Sequence, residues 1–200
     1  MKKIYFFILL SLFSGQVALS QTKPIKDLYW DYSQMRMDPA TRTQAKDKAL
    51  ALLARSTELT EKQLANVNFH LGRIYEEIKE PDKAVPHYEQ AIKLAPAYYV
   101  TYRALGFIYL KKCDSIGRTV TEAAKAKNAK LHAERFNAYK NEVSKTLPYF
   151  EKSQACDPDE RTLAMITNLY NSIKNPQALL TLDERLKKLG GECASLLDDE

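Results

Sequence analysis

Apolar side chains recur along this chain at steps of three to five residues, the spacing that lines one face of an α-helix. One stripe runs through Ala45, Ala49, Leu52 and Leu53 to Ser56. A longer one rises through Leu105, Tyr109, Cys113, Ile116, Val120 and Ala123. It falls again through Leu131, Phe136, Tyr139, Val143, Leu147 and Phe150. Between the two stripes, Leu71-Gly72-Arg73-Ile74-Tyr75 returns 34 residues later as Leu105-Gly106-Phe107-Ile108-Tyr109. A fixed period of that size marks an array of helical repeats, each burying its apolar face only by stacking on the next. The downstream halves agree, since Lys83-Ala84-Val85-Pro86-His87-Tyr88-Glu89 is echoed by Lys145-Thr146-Leu147-Pro148-Tyr149-Phe150-Glu151. Each then reaches a proline, Pro96 and Pro158. The pattern predicts an all-α fold, a short solenoid of antiparallel helix hairpins.

Two glycines fall inside this periodicity. Glycine in a helix interior costs about 1 kcal/mol against alanine, so Gly72 and Gly106 predict a close approach by a neighbouring helix. Small Ala84, Ala91 and Ser153 on the second helices would admit that approach, and Leu71, Tyr75, Tyr88 and Ile92 would fill the space. Tyr75 to Ala84 spans 9 residues but Tyr109 to Thr146 spans 37, so the second copy carries 28 more. The apolar stripe keeps its phase throughout, which predicts both helices of that hairpin lengthened by about 14 residues and turning near Asn128. At 1.5 Å per residue the hairpin would protrude roughly 20 Å. Pro148 predicts a bend or break between Ser144 and Pro148, because it cannot donate to the Ser144 carbonyl. Pro86, nearer a helix start, is expected to lose little or no bonding.

These residues resemble the tetratricopeptide repeat, a helix-turn-helix unit of about 34 residues. With Ala65 as position 1, the family's large residue at 4, Leu at 7, Gly at 8 and Tyr at 11 meet Asn68, Leu71, Gly72 and Tyr75. Ala at 20, an aromatic at 24, Ala at 27 and Pro at 32 meet Ala84, Tyr88, Ala91 and Pro96. Only Asn68 departs. The second copy supplies Tyr102, Leu105, Gly106 and Tyr109, then Thr146, Phe150, Ser153 and Pro158. A weaker third copy has Leu163, Ile166, Thr167 and Tyr170, followed by a second helix over Pro176 to Leu189.

The resemblance implies a right-handed solenoid that binds a protein or peptide along the concave face of its first helices. Positions 2, 5, 9 and 12 would line that face: Asn66, Phe69, Arg73 and Glu76; Val100, Arg103, Phe107 and Leu110; Arg161, Ala164, Asn168 and Asn171. Apolar Phe69, Phe107 and Leu110 beside Arg73, Arg103 and Arg161 suit a peptide with acidic and aromatic or aliphatic groups. The family's carboxylate clamp has Lys and Asn where Phe69 and Arg73 stand, so binding of chaperone C-terminal peptides is not implied. Self-association through the long hairpin is the alternative expectation.

The ends add the compartment. Lys2 and Lys3, an apolar run from Ile4 to Phe13, and Ala18-Leu19-Ser20 before Gln21 read as a cleavable secretory signal over 1–20. That run is too short for a membrane span, which needs about 20 residues, and no later stretch spans one. No cysteine follows it to take a lipid, so a bacterial periplasmic location is expected. Residues 21–39 form an extended or partly helical lead-in whose Tyr29 and Trp30 should dock on the first helix. The solenoid covers 40–200, with repeats at about 65–98, 99–159 and 160–189 and a tail at 190–200. Thr60 is a helix N-cap candidate, with Gln63 at the capping-box position.

Without Lys2 and Lys3, the net charge of +5 falls to +3, too slight to draw nucleic acid. The basic residues of the insert, Arg118, Lys125, Lys127, Lys130, Arg135, Lys140 and Lys145, read as a solvated face. His70, His87 and His132 lie in three elements with no ligand spacing, and no catalytic constellation or cofactor motif is present. A non-catalytic scaffold without cofactor or metal is therefore expected. Three cysteines allow one disulfide at most. Cys156 and Cys193 would lie at the same end of adjacent units, but separate buried thiols are the expected outcome.

Overall fold

A computed structural model describes residues 23–197. The signal read over 1–20 and the acidic end 198–200 lie outside the described residues. The helices are α1 (Ile25–Met35), α2 (Arg42–Leu53), α3 (Glu61–Glu77), α4 (Pro81–Leu94), α5 (Tyr99–Lys125), α6 (Ala129–Cys156), α7 (Glu160–Ser172) and α8 (Leu182–Leu189). They pair as antiparallel hairpins, α1 with α2, α3 with α4, α5 with α6, and α7 with a 3-10 segment, Pro176–Thr181, that leads into α8. The third repeat's second helix therefore begins as 3-10 rather than α. The hairpins stack as an all-α solenoid.

Local chemistry sets the ends. Thr60 Oγ1 accepts from the Gln63 amide at 3.2 Å while Gln63 Oε1 accepts from the Thr60 amide at 3.0 Å, the reciprocal capping box that starts α3. Three first helices end alike. Lys79, Lys127 and Lys174 have φ of 66°, 53° and 59°. At each, the next amide bonds back to the carbonyl of Tyr75, Ala123 or Tyr170, which closes the Schellman turn that glycine usually supplies.

The core runs from hairpin to hairpin. Tyr29, Tyr32, Ala49, Leu52, Val67 and Leu71 join α1, α2 and α3, and Tyr75 links this group to the next. There Tyr88, Tyr98, Leu105 and Tyr109 gather between α4 and α5. Cys113, Val143, Phe150, Ile166 and Leu182 close the C-terminal half. The glycines sit where aromatic rings press in. A Cβ at Gly72 would lie 2.6 Å from the Tyr88 ring, and one at Gly106 3.0 Å from the Phe150 ring.

Several expectations are corrected. α6 is a single α-helix through Pro148, so the expected break is absent. Ser144 and Pro148 are both exposed, so water can satisfy the freed carbonyl, while buried Val143, Leu147 and Phe150 hold the turns on either side. Pro86 is the sixth residue of α4 and forgoes a full interior bond to Asp82, again on the exposed side. Trp30 does not dock, being 65 % exposed; Tyr32 fills the core in its place. Cys156 and Cys193 are bonded, with their Cα atoms 5.5 Å apart, and only Cys113 is a buried free thiol. Separate thiols failed as an expectation because the tail turns back after α8, bringing Cys193 onto the end of α6.

Candidate functional site

The face expected to take a partner draws on matching positions of α3, α5 and α7, and its parts differ sharply in availability. Asn66 on α3 is buried, its Oδ1 taken by the Arg36 guanidinium and its carbonyl by the Tyr32 hydroxyl at 3.5 Å. Phe69 is buried too, edge-on to Tyr98 at 4.9 Å between ring centres. Neither is offered to a partner. Arg73 Nη2 donates to Glu77 Oε1 at 3.2 Å, and Nη1 lies 3.4 Å from the Met37 sulfur. Glu76 accepts from the Tyr88 hydroxyl at 2.6 Å; burial and then this carboxylate drive the phenol pKa well up.

On α5, Arg103 serves the fold. Its Nε donates to Ser153 Oγ at 2.9 Å, its Nη2 pairs with Asp157 Oδ2 at 2.9 Å, and its plane lies 5.5 Å from the Tyr99 ring centre. Val100 and Leu110 are half-buried. Phe107 is 41 % exposed, braced edge-on by Phe150 at 5.4 Å. On α7, Arg161, Ala164, Asn168 and Asn171 are exposed, and Arg161 forms no ion pair among the described residues. The open part of the face therefore lies around Phe107 and Arg161.

A second open part was missed in the sequence. The buried triad Ala45, Ala49 and Leu52 of α2 repeats the spacing of Ala84, Tyr88 and Ala91 of α4, 39 residues on. The same offset sets Tyr32 against Leu71, so α1 and α2 form a degenerate first repeat. Trp30 and Met37 then match Phe69 and Glu76, and both are exposed. The triad's spacing was the available signal, but a 39-residue offset hides it from a search at 34.

Other polar groups in the interior serve the stacking. Tyr109 on α5 donates to Glu89 Oε1 of α4 at 2.9 Å, and Tyr170 on α7 donates to Glu151 Oε1 of α6 at 2.6 Å. Each link joins one repeat's first helix to the preceding repeat's second helix, at equivalent positions. Burial and the Glu151 bond push the Tyr170 phenol up to about 12. Arg185 holds Glu151 from the other side at 2.7 Å. His87 stacks on Tyr75 and shares a 3.1 Å contact with Asn68 Oδ1, while burial lowers its pKa. Burial raises the Cys113 thiol, which sits 3.3 Å from Thr146 Oγ1. Among the described residues no group of three His, Cys, Asp or Glu side chains could hold a metal ion.

Stacked helix hairpins with an open face lined by each first helix define a helical-repeat protein. Residues 65–98 match the family model described as Tetratricopeptide repeat, so this stretch of the chain is similar to one such repeat. No curated protein and no solved structure gives a significant match to the chain.

Proposed function

We propose that the chain is an exported, non-catalytic scaffold that binds a protein or peptide partner on its concave face. The open residues are Trp30, Met37, Phe107, Arg161 and Asn168. Phe107 carries the reading, as a large aromatic left in water at a groove position while Phe150 braces it from behind. Aromatic anchors in such settings dominate binding energy at interfaces. Arg73 and Arg103 are already paired with Glu77 and Asp157, which reduces the pull on acidic partners. The favoured partner is a segment with aromatic or aliphatic anchors and few charges, its acidic contact falling to Arg161.

The Cys156–Cys193 bond supports export, since disulfides persist mainly in oxidising compartments. A periplasmic location fits that bond together with the sequence of 1–20. Among the described residues no helix is long and apolar enough to cross a membrane. The reading is tested by crosslinked capture with the intact chain and a Phe107→Ala/Arg161→Glu variant, with circular dichroism to show that the variant folds. A partner held by the first and lost by the second is expected. Equal capture by both would overturn the reading.

A further inference from the structure

The described tail turns back onto the body and meets it at Ala194. Lys152 Nζ holds the carbonyls of Leu189 at 2.9 Å and Glu192 at 2.7 Å, and the disulfide then fixes Cys193 to the end of α6. Beyond it, the Ala194 amide donates to the Ala97 carbonyl at 2.7 Å, and the Ala194 carbonyl accepts from the Tyr99 amide at 3.4 Å. This makes a parallel bridge between Ala194 and Tyr98. Leu196 points to water, and Leu197 packs against the cluster that contains Phe69 and Tyr98.

Three features set this apart from an ordinary chain end. The backbone bonds to Ala97 and Tyr99 ask only for an extended chain, the way peptides add to exposed edges. The notch behind Leu197 is underfilled, with a cavity of about 200 Å³ among Ala65, Leu94, Tyr98 and the tail. The tether is reachable, since Cys193 is exposed.

We propose that the notch between the start of α3 and the α4–α5 loop is a docking site for an extended peptide with an aliphatic side chain where Leu197 stands. Residues 194–197 fill it in cis, and reduction of Cys156–Cys193 opens it. A dithiol supplies the two electrons. Its thiolate attacks the exposed Cys193 sulfur, and Cys156 leaves as a thiolate that takes a proton. The second thiol then attacks the mixed disulfide and releases Cys193, leaving two protein thiols and one oxidised dithiol. This site is independent of the open face at Phe107 and Arg161.

A short tether holds its segment at an effective concentration in the mM range, so a true docking site should bind the free segment at or below that level. The test uses the full chain carrying Leu197→Asp, which removes the aliphatic filler while the disulfide keeps Ala194 on Ala97 and Tyr99 until it is reduced. A labelled peptide of residues 194–200 is titrated by fluorescence anisotropy, with the chain oxidised and after dithiothreitol. Binding to the reduced chain with Kd below about 1 mM is expected. The oxidised chain, and a peptide carrying Leu197→Asp, should each bind about tenfold more weakly. In the unaltered chain, reduction should lower hydrogen-exchange protection of the Ala194 and Tyr99 amides about tenfold. No binding at 1 mM, or equal binding by the altered peptide, overturns the docking site. Equal behaviour of the oxidised and reduced chains overturns its control. Neither failure bears on capture through Phe107 and Arg161.

Discussion

Single residues show how closely this sequence is tuned to stacking. Gly72 and Gly106 were legible as points of close approach because an interior glycine is costly without a packing reason. The sequence did not say which ring each faces. Gly72→Ala gains about 1 kcal/mol of helix propensity but drives a methyl into the fully buried Tyr88 ring. Overpacking of that kind costs about 1–3 kcal/mol, so a net loss of up to about 2 kcal/mol is expected in urea unfolding. Lys127 gives the opposite case. A non-glycine residue in the left-handed region costs roughly 1 kcal/mol, and Lys127 is exposed with φ of 53°. Lys127→Gly should raise stability by about 1 kcal/mol by the same measurement. His87 adds a pH effect. Its folded pKa lies below the unfolded value near 6.5, so the unfolded chain takes up more protons as pH falls through that value. Stability should therefore drop as pH falls from 7.5 to 5.5. His87→Asn should flatten that part of the profile, and an unchanged profile would refute the assignment.

Elements explain the insertion. Tyr109 to Lys127 spans 18 residues against 4 from Tyr75 to Lys79, so 14 are added to the rising helix. Lys127 to Thr146 spans 19 against 5 from Lys79 to Ala84, so 14 are added to the falling one. Fourteen residues is close to four turns at 3.6 per turn, which is why the apolar stripe kept phase and the extension was legible. The same lysine turn closes the long hairpin as closes the ordinary ones. Tyr139 and Phe136 brace its flank against α7, through a 2.9 Å bond to Ser172 and the Lys174 ammonium 5.6 Å from the Phe136 ring centre. Pro148 does not break α6, because the buried turns beside it hold the helix together, a term that local propensity leaves out. The links from Tyr109 to Glu89 and Tyr170 to Glu151 were not legible in the sequence, because only the fold shows the tyrosine that meets each glutamate. Removing a hydrogen bond to a charged acceptor costs about 1–3 kcal/mol. Tyr109→Phe should lose about that much in urea unfolding, and no loss would show that the stacking does not rest on the link.

For the molecule as a whole, the solenoid was readable from its period and α2 from its apolar stripe over 40–56, while the tail and the helix α1 were not. Cysteine spacing alone could not pair Cys156 with Cys193, because that needs the direction of the chain after α8. Cross-linking a loop of this size, 37 residues in separation, stabilises by roughly 3–4 kcal/mol through the unfolded chain. Reduction should accordingly lower the melting temperature of the full chain. The groove was half legible. Position numbering found Phe107 and Arg161, and it also named Asn66 and Phe69, which neighbouring elements bury. The central claim is that the open concave face is where this chain meets its partner. Its most direct test places a photo-crosslinking residue in turn at Trp30, Phe107 and Arg161 on that face, and at Gln90 and Lys93 on α4 away from it, in the full chain. The account predicts one common crosslinked partner from the first three positions and none from the last two. Crosslinks from α4 alone, or equally from both sets, would contradict it.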